Sequence, residues 1–579
     1  MGAYLAAQAP TANDLLTQAG HALVGNFLNT LSSRADPDLA LHLQSVLAAS
    51  APKLTAAQAQ MSAKHFALWA AMIARDGGRD VEPVARPEPG DRRFASAEWQ
   101  ASTHFDYLRQ AYLINAQFLR DCVEALELDE RSKGRLRFVA RQLIDAMSPA
   151  NFAATNPDAL KLAQQTGGAS LTRGLKNLLE DARKGRISTT DESAFEVGRN
   201  IACTEGAVIF ENELLQLIQY APRTTRVRKR PLLVVPPCIN KYYVLDLQPE
   251  NSFVRYAVEQ GNTVYMVSWR NILPEQGHHT WDDYLGLGVL PAMQVVRDLS
   301  GMDRLNLIGY CVGGTMLGAV LAILAARGED WVESLAFFTS LHDFSDAGDI
   351  GLFVDEQGVA AREAAIGSGG IMPGRELAAV FSALRANDLI WSYVVNNYLK
   401  GRTPVPFDLL HWNADSTNLP GPMYCWYVRN MYLDNSLTVP GKLTMLGVPV
   451  DLTRVHHPTY VLATREDHIV PWKSAYQTTQ LMRGTMRFVL GESGHVAGVV
   501  NPASKNRRSY WVNEHDAPPP DAQAWLARAE QRPGSWWTDW DAWLAQYSGG
   551  QARAKKRLGS ARYKVIEPAP GRYVKQRVV

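Results

Sequence analysis

The run Arg304-Leu305-Asn306-Leu307-Ile308-Gly309-Tyr310-Cys311-Val312-Gly313-Gly314-Thr315 leaves the chain few folds to choose from. Leu305, Leu307 and Ile308 read as a short buried strand that Gly309 ends. Met316, Leu317, Val320, Leu321 and Leu324 then recur at helical spacing in an Ala-rich background. A strand that turns into a helix through Gly-x-Cys-x-Gly has the layout of a nucleophile elbow, with cysteine where serine is usual. The turn is tight, and a Cβ beside the cysteine would strike the neighbouring strand or helix. The sulfur is left at a helix N-terminus, where unpaired N–H groups favour thiolate over thiol. With five Cys and 43 Gly in 579 residues, chance supplies this pattern roughly 0.03 times per chain. A buried, inert cysteine is the plainer reading, and only partners elsewhere in the chain displace it.

The surrounding rhythm predicts the fold class. Apolar strand-like runs lie at residues 231–237, 263–267 (after a helix-like Phe253–Glu259), 305–308 and 334–339, and the pattern resumes at 458–463 and 486–490. Strands alternating with helices imply a mainly parallel sheet covered on both faces, an α/β core. Residues 341–435 interrupt it with Trp391, Tyr393, Asn396, Asn397, Tyr398, Trp412 and Trp426. An insertion of that size reads as a cap over an active site, with an extra helical layer as the alternative.

Residues 1–190 read as a mainly helical N-terminal domain, and 191–579 as the catalytic domain. Leu39, Leu43, Val46 and Leu47 form one apolar stripe; Phe105, Leu108, Tyr112 and Leu119, with Ala111, Ile114 and Phe118, form a broader one. Such stripes predict core packing. Residues 82–91, rich in Pro and charge, read as a loop or linker. Near the other end Trp525, Trp536, Trp537, Trp540 and Trp543 crowd together, and the last 29 residues hold nine Lys/Arg against Glu567 alone. Clustered tryptophans close a core or an interface, and a basic tail is ordinarily solvated; together they leave an interfacial or acidic partner open.

A net charge of +1 gives no global field for nucleic acid. Cys122, Cys203, Cys238, Cys311 and Cys425 are odd in number and widely spaced, without Cys-x-x-Cys or His-Glu-x-x-His, so neither a disulfide framework nor a metal site is expected. A reducing cytoplasm fits. Met1 to Ala6 lack the basic flank of a signal peptide, and Ala6 breaks the myristoylation pattern. The longest apolar runs, 66–74 and 317–326, fall short of a transmembrane segment.

An elbow thiol needs a base, and the base needs an orienting acid; in this architecture they follow in the order nucleophile, acid, histidine. The strand at 460–463 runs into Thr464-Arg465-Glu466-Asp467-His468, and the strand at 487–490 into Gly491-Glu492-Ser493-Gly494-His495. Both loops belong to the rim that carries the elbow, which nominates Asp467 and His495. Glu466 and His468 are neighbouring rivals, while Asp343, Asp346 and Asp349 come too early. An oxyanion hole needs two N–H donors. One is expected from Val312, directly after the nucleophile. The other is expected from the loop 236–243, where the prolines have no N–H and Cys238 or Ile239 remains, Ile239 being favoured. Cys238 itself reads as a small loop-filling residue, with a second nucleophile as the alternative.

Gly309-Tyr310-Cys311-Val312-Gly313-Gly314-Thr315, Pro236-Pro237-Cys238-Ile239-Asn240-Lys241-Tyr242-Tyr243, Ser268-Trp269-Arg270-Asn271, Thr280-Trp281-Asp282-Asp283-Tyr284, Arg465-Glu466-Asp467-His468-Ile469-Val470-Pro471-Trp472 and Gly494-His495 resemble the polyhydroxyalkanoate synthases, most of all the single-subunit class I enzymes. The resemblance runs from about Asp91 to the Trp-rich region; the first 80 or so residues and the last 20 match nothing specific. It implies an α/β-hydrolase core with a cap, preceded by a helical domain. It also implies polymerisation of (R)-3-hydroxyacyl-CoA, with 3-hydroxybutyryl as the favoured unit, and release of CoA. Cys311 would be the acylated nucleophile, His495 the base and Asp467 the third member. No separate cofactor is implied, since coenzyme A is part of the substrate. The implied partners are a second copy of the chain, the growing polyester, the surface of storage granules and granule-associated proteins, all in the cytoplasm. A cysteine-dependent thioesterase or hydrolase of the same fold is the competing reading, because fold does not settle the acceptor. A non-catalytic granule scaffold ranks below both, since it leaves the elbow and the two rim residues unexplained.

Overall fold

The computed structural model describes residues 37–514 and 517–577. The helical expectation for residues 1–36, the reading of Met1 to Ala6, and the side chains of Leu39 and Leu43 lie outside the described residues. The chain forms two compact units. One holds the described residues up to Thr189 together with Arg385–Pro404; the other holds Thr190–Leu384 and Val405–Val579 as far as described.

The first unit is helical: α1 (Pro37–Asp76), α2 (Thr103–Ala125), α3 (Glu130–Ala146) and α4 (Ala169–Lys184). The broad stripe on α2 puts Tyr112, Ile114 and Leu119 in the core, where Ile114 meets Leu68 and Met72 of α1, and Tyr112 packs with Phe94 and Trp99. Arg385–Pro404, which the sequence assigns to the cap, is part of this unit. Asn387 donates to Asp145 (2.6 Å), Tyr398 to Asp181 (2.8 Å) and the Asn397 amide to Ser188 O (2.7 Å). A Cβ at Gly174 would overlap the carbonyl of Tyr398, so α4 and that backbone fit only because glycine stands there. The expected insertion is thus divided between the units, because these residues satisfy buried polar groups of the helices.

The second unit is built on one eleven-stranded sheet. Its strands are β1 (Gly206–Glu211), β2 (Leu215–Tyr220), β3 (Leu232–Val235), β4 (Val264–Trp269), β5 (Leu305–Tyr310), β6 (Val332–Phe338), β7 (Thr459–Thr464), β8 (Met486–Gly491), β9 (Ser509–Val512), β10 (Glu530–Pro533) and β11 (Glu567–Pro568). The spatial order is β10-β9-β8-β7-β6-β5-β3-β4-β2-β1-β11. Strands β4, β3, β5, β6, β7 and β8 run parallel, and these are the six the sequence rhythm predicts. The other five extend both edges antiparallel. Helix α5 (Val312–Arg327) follows β5 and is buried from Val312 to Leu324, so its apolar residues need no single face.

The cap region brings Trp281 against Trp426 (5.2 Å between ring centres) and against Tyr427 (5.2 Å, planes 4° apart), the last two on or beside α6 (Gly421–Tyr427). The tryptophan cluster closes the core: α7 (Trp536–Ala545) buries Trp536, Trp537, Trp540 and Trp543. Trp536 and Trp537 donate their ring N–H to Gly498 O and Val499 O, each at 2.9 Å. The basic tail is built into the sheet system, with Gln551–Arg553 paired to Arg226–Arg228 and β11 paired to β1. Among the described residues no helix is long and apolar enough to cross a membrane.

Candidate active site

Cys311 lies between β5 and α5 at φ 52° and ψ −129°. A side chain at such a positive φ costs about 1–3 kcal/mol, so the surroundings must impose it. The Cys311 N–H donates to Phe338 O (3.0 Å) on the adjacent strand, and the Cys311 carbonyl accepts from the N–H of Gly314 (2.9 Å). The glycines answer a packing demand. A Cβ at Gly309 would lie 2.5 Å from Gly314 Cα, and one at Gly313 would lie 2.5 Å from Pro236 O and nearer still to Val235 O. The elbow therefore abuts the end of β3, in keeping with the register Val235 to Gly309.

Asp467 follows β7 and is buried. Its Oδ1 accepts from the N–H groups of Ile469 (2.9 Å) and Val470 (2.8 Å). Its Oδ2 accepts from the Thr464 hydroxyl (3.3 Å) and pairs with His495 Nδ1 at 2.7 Å. His495 follows β8, is buried, and stacks on Tyr310 at 5.7 Å. The Cys311 side chain is close enough for its charge to act on the ring. Burial disfavours an imidazolium here, but the charge of Asp467, then that of Cys311, and the hydrogen bond to Asp467 outweigh it and push His495 up to about 10. Three residues distant in sequence are thus joined as Cys311, His495 and Asp467, each placed by the C-terminal end of a parallel strand. The arrangement is suited to moving a proton between sulfur and imidazole, with the carboxylate fixing the ring.

Among the rivals, Glu466 is exposed. Asp343 and Asp346 accept local backbone N–H bonds from Ser345 and Gly348. Val312 is the first residue of α5, where N–H groups have no intrahelical acceptor. Ile239 is half-buried in the loop after β3. The Thr417 hydroxyl pins that loop, accepting from Asn240 N–H (2.9 Å) and donating to Cys238 O (2.9 Å). Cys238 is buried, and burial raises its thiol well above the ordinary value, with Cys311 adding a smaller push.

Several participants carried no signal that pattern reading used. Thr464 braces Asp467, Tyr310 carries the imidazole, and Thr417 fixes the loop from within the insertion. Tyr427 is buried and Tyr432 is half-buried beside it. Burial first, and the Cys311 sulfur among the smaller causes, raise both hydroxyls, which places an aromatic pair near the thiol. The position of Thr464 at a strand end, one turn before Asp467, was the legible clue for the first of these.

A nucleophilic residue on this elbow, with acid and histidine on later strand ends of a mainly parallel sheet, defines the α/β-hydrolase fold. A family model described as "alpha/beta hydrolase fold" matches residues 231–502. A second, "Poly-beta-hydroxybutyrate polymerase (PhaC) N-terminus", matches residues 90–257. The chain is 55% identical over 514 residues to the poly(3-hydroxyalkanoate) polymerase subunit PhaC of Cupriavidus necator, covering 88% of this chain and 86% of that one. It is 41% identical over 528 residues to the protein of the same name from Rhizobium meliloti (90% and 85%). It is 40% identical over 493 residues to poly(3-hydroxyalkanoate) polymerase 2 of Ectopseudomonas oleovorans (84% and 87%). The chain belongs to the poly(3-hydroxyalkanoate) polymerases, a family of acyltransferases.

Proposed function

We propose that this enzyme polymerises (R)-3-hydroxyacyl-CoA, with 3-hydroxybutyryl-CoA as preferred monomer, through an acyl-cysteine on Cys311. The hydrogen-bonded His495–Asp467 pair set beside the Cys311 thiol on the elbow is the observation that carries the reading. In the first half-reaction the sulfur, its proton passed to His495, attacks the thioester carbonyl. The bond to the CoA sulfur breaks, and CoA leaves as the thiol with the proton from the imidazolium. In the second, His495 takes the proton of an acceptor 3-hydroxyl, whose oxygen attacks the acyl-cysteine. An ester forms, the Cys311–acyl bond breaks, and one CoA has been released per ester made. Thioester exchange is nearly balanced and ester formation is downhill, so no cofactor is required; coenzyme A is part of the substrate. The N–H groups of Val312 and Ile239 would hold the carbonyl oxygen as it becomes negative. Asp467 holds the ring and stabilises its cation.

Water would divert the acyl-enzyme to free acid. The aromatic group formed by buried Trp281 and Tyr427 with half-buried Trp426 and Tyr432 supports exclusion of water and suits an apolar polyester. The reading includes a homodimer acting in the cytoplasm at the surface of polyester granules, with granule-associated proteins as partners; family membership supports that part. The test is incubation with 3-hydroxybutyryl-CoA and a longer homologue, following released thiol and insoluble product together. Thiol release matched by polymer, and lost in Cys311→Ser and His495→Ala, is the expected result. Free 3-hydroxy acid without polymer would replace it with the thioesterase reading.

A further inference from the structure

The loop 236–243 leaves β3 through two prolines and carries Asn240 at φ 62°. It therefore needs holding, and Thr417 does only part of that work. Trp412 donates its ring N–H to Lys241 O (2.6 Å), and the remaining anchor is the Lys241 side chain itself, 3% exposed. An ammonium has three N–H donors, and burial is tolerable only if all are met by acceptors and the charge is paired. Here Asp415 Oδ1 lies at 2.8 Å, Val574 O at 2.7 Å and Gln576 O at 2.9 Å. The other oxygen of Asp415 accepts from Tyr243 (2.8 Å), tying the same loop a second time.

Two of the three acceptors thus come from a segment more than 300 residues downstream, and that segment is itself fixed. Val574 is buried, Tyr573 donates its hydroxyl to Asn212 O (2.8 Å) and its N–H to Gln216 Oε1 (3.2 Å), and Arg270 covers its ring at 4.9 Å. A lysine that only filled space would not need so complete a set of acceptors from so distant a source. Ile239, the N–H donor assigned above, is two residues away.

We infer that Lys241 is a positioning residue for the reaction and that residues 573–576 act through it, setting where the Ile239 N–H meets the reacting carbonyl. This rests on the acyl-cysteine reading of the same site. Displacing such a donor by about 1 Å is worth about 100-fold in rate. The experiment uses the full chain, Lys241→Met, a chain ended after Arg572, and the two changes together, each assayed with 3-hydroxybutyryl-CoA for kcat, KM and the first burst of CoA. Circular dichroism and urea midpoints report folding.

Each single change should lower kcat about 100-fold, with KM held within about twofold and the burst slowed. The combined form should be no worse, because both changes break one connection. A synthetic peptide of residues 567–577 should restore the shortened chain at least tenfold, and should not restore it when Lys241→Met is also present. Should Lys241→Met fail to fold, the shortened chain, which retains the Lys241–Asp415 pair, with its peptide still decides the matter. A shortened chain within about threefold of the full one, additive losses, or peptide rescue indifferent to Lys241 would overturn the inference. Cys311→Ser is assayed beside them. If it is inactive while the tail and Lys241 variants are normal, only this inference falls; if it turns over normally, the site reading falls and takes this one with it.

Discussion

Asp467→Asn is the sharpest perturbation of the site, because the structure dictates how the new amide must sit. The backbone N–H groups of Ile469 and Val470 both point at Oδ1, at 2.9 and 2.8 Å. Two donors on one side select the oxygen of an asparagine there and turn its NH2 toward His495 Nδ1, now 2.7 Å from Oδ2. An NH2 can only donate, so Nδ1 must accept and the ring proton must move to Nε2, the nitrogen needed to accept from the thiol. The geometry survives but the tautomer is reversed. Such a reversal in a Ser-His-Asp triad costs about 10⁴ in kcat, equivalent to about 5.5 kcal/mol at about 1.36 kcal/mol per decade. The assay is CoA release from 3-hydroxybutyryl-CoA near neutral pH, with circular dichroism to confirm an unchanged fold. A variant within tenfold of the parent would show that Asp467 does not set the tautomer, and the assigned role would be lost.

Three further outcomes follow from the same geometry. Cys238→Ala should leave kcat within about threefold, since burial raises that thiol and keeps it protonated; a loss beyond about 100-fold in the thiol-release assay would make it a second nucleophile. Gly313→Ala should give a protein with a sharply lowered Tm or none in the soluble fraction, because its Cβ would press on backbone oxygens of Val235 and Pro236 that cannot move aside. Folding raises the His495 value from 6.5 to about 10, so the folded state binds that proton more tightly than the unfolded one. The resulting stability is fully present below 6.5 and is lost as pH rises toward about 10. The gap in urea midpoint between the parent and His495→Gln should therefore close across that window; a gap that widens would refute the assigned charge.

The parallel half of the sheet was legible because each strand is a compact apolar run, some of them stopped by Gly or Pro, as with Leu232 to Val235 before Pro236. The elbow and its partners were legible for a related reason: Asp467 and His495 each follow such a run directly. The edge strands were not. Leu215-Gln216-Leu217-Ile218-Gln219-Tyr220 alternates imperfectly and lies in a stretch where no rhythm had begun, and Glu567–Pro568 is too short to carry any period. Thr417 and residues 573–576 escaped because their contribution is a hydroxyl or a backbone carbonyl aimed across the fold, which residue type does not advertise. The tryptophans announced burial but not its location. Residues 385–404 carry the same aromatic and amide-rich composition as the rest of the insertion, so nothing in composition separates the part that joins the helices from the part that caps the catalytic unit.

That division has a consequence for how the protein is made. Because Arg385–Pro404 completes the helical unit, the backbone passes between units after Thr189, again after Leu384 and a third time after Pro404. Synthesis proceeds from the N-terminus, and domains ordinarily fold in that order. Here the first-made helices must wait for more than half of the catalytic unit to leave the ribosome before Asp145, Asp181 and the bare face of Gly174 meet their mates. A fragment stopped at residue 190 is an unfinished object, and neither half of this enzyme can be liberated with one cut.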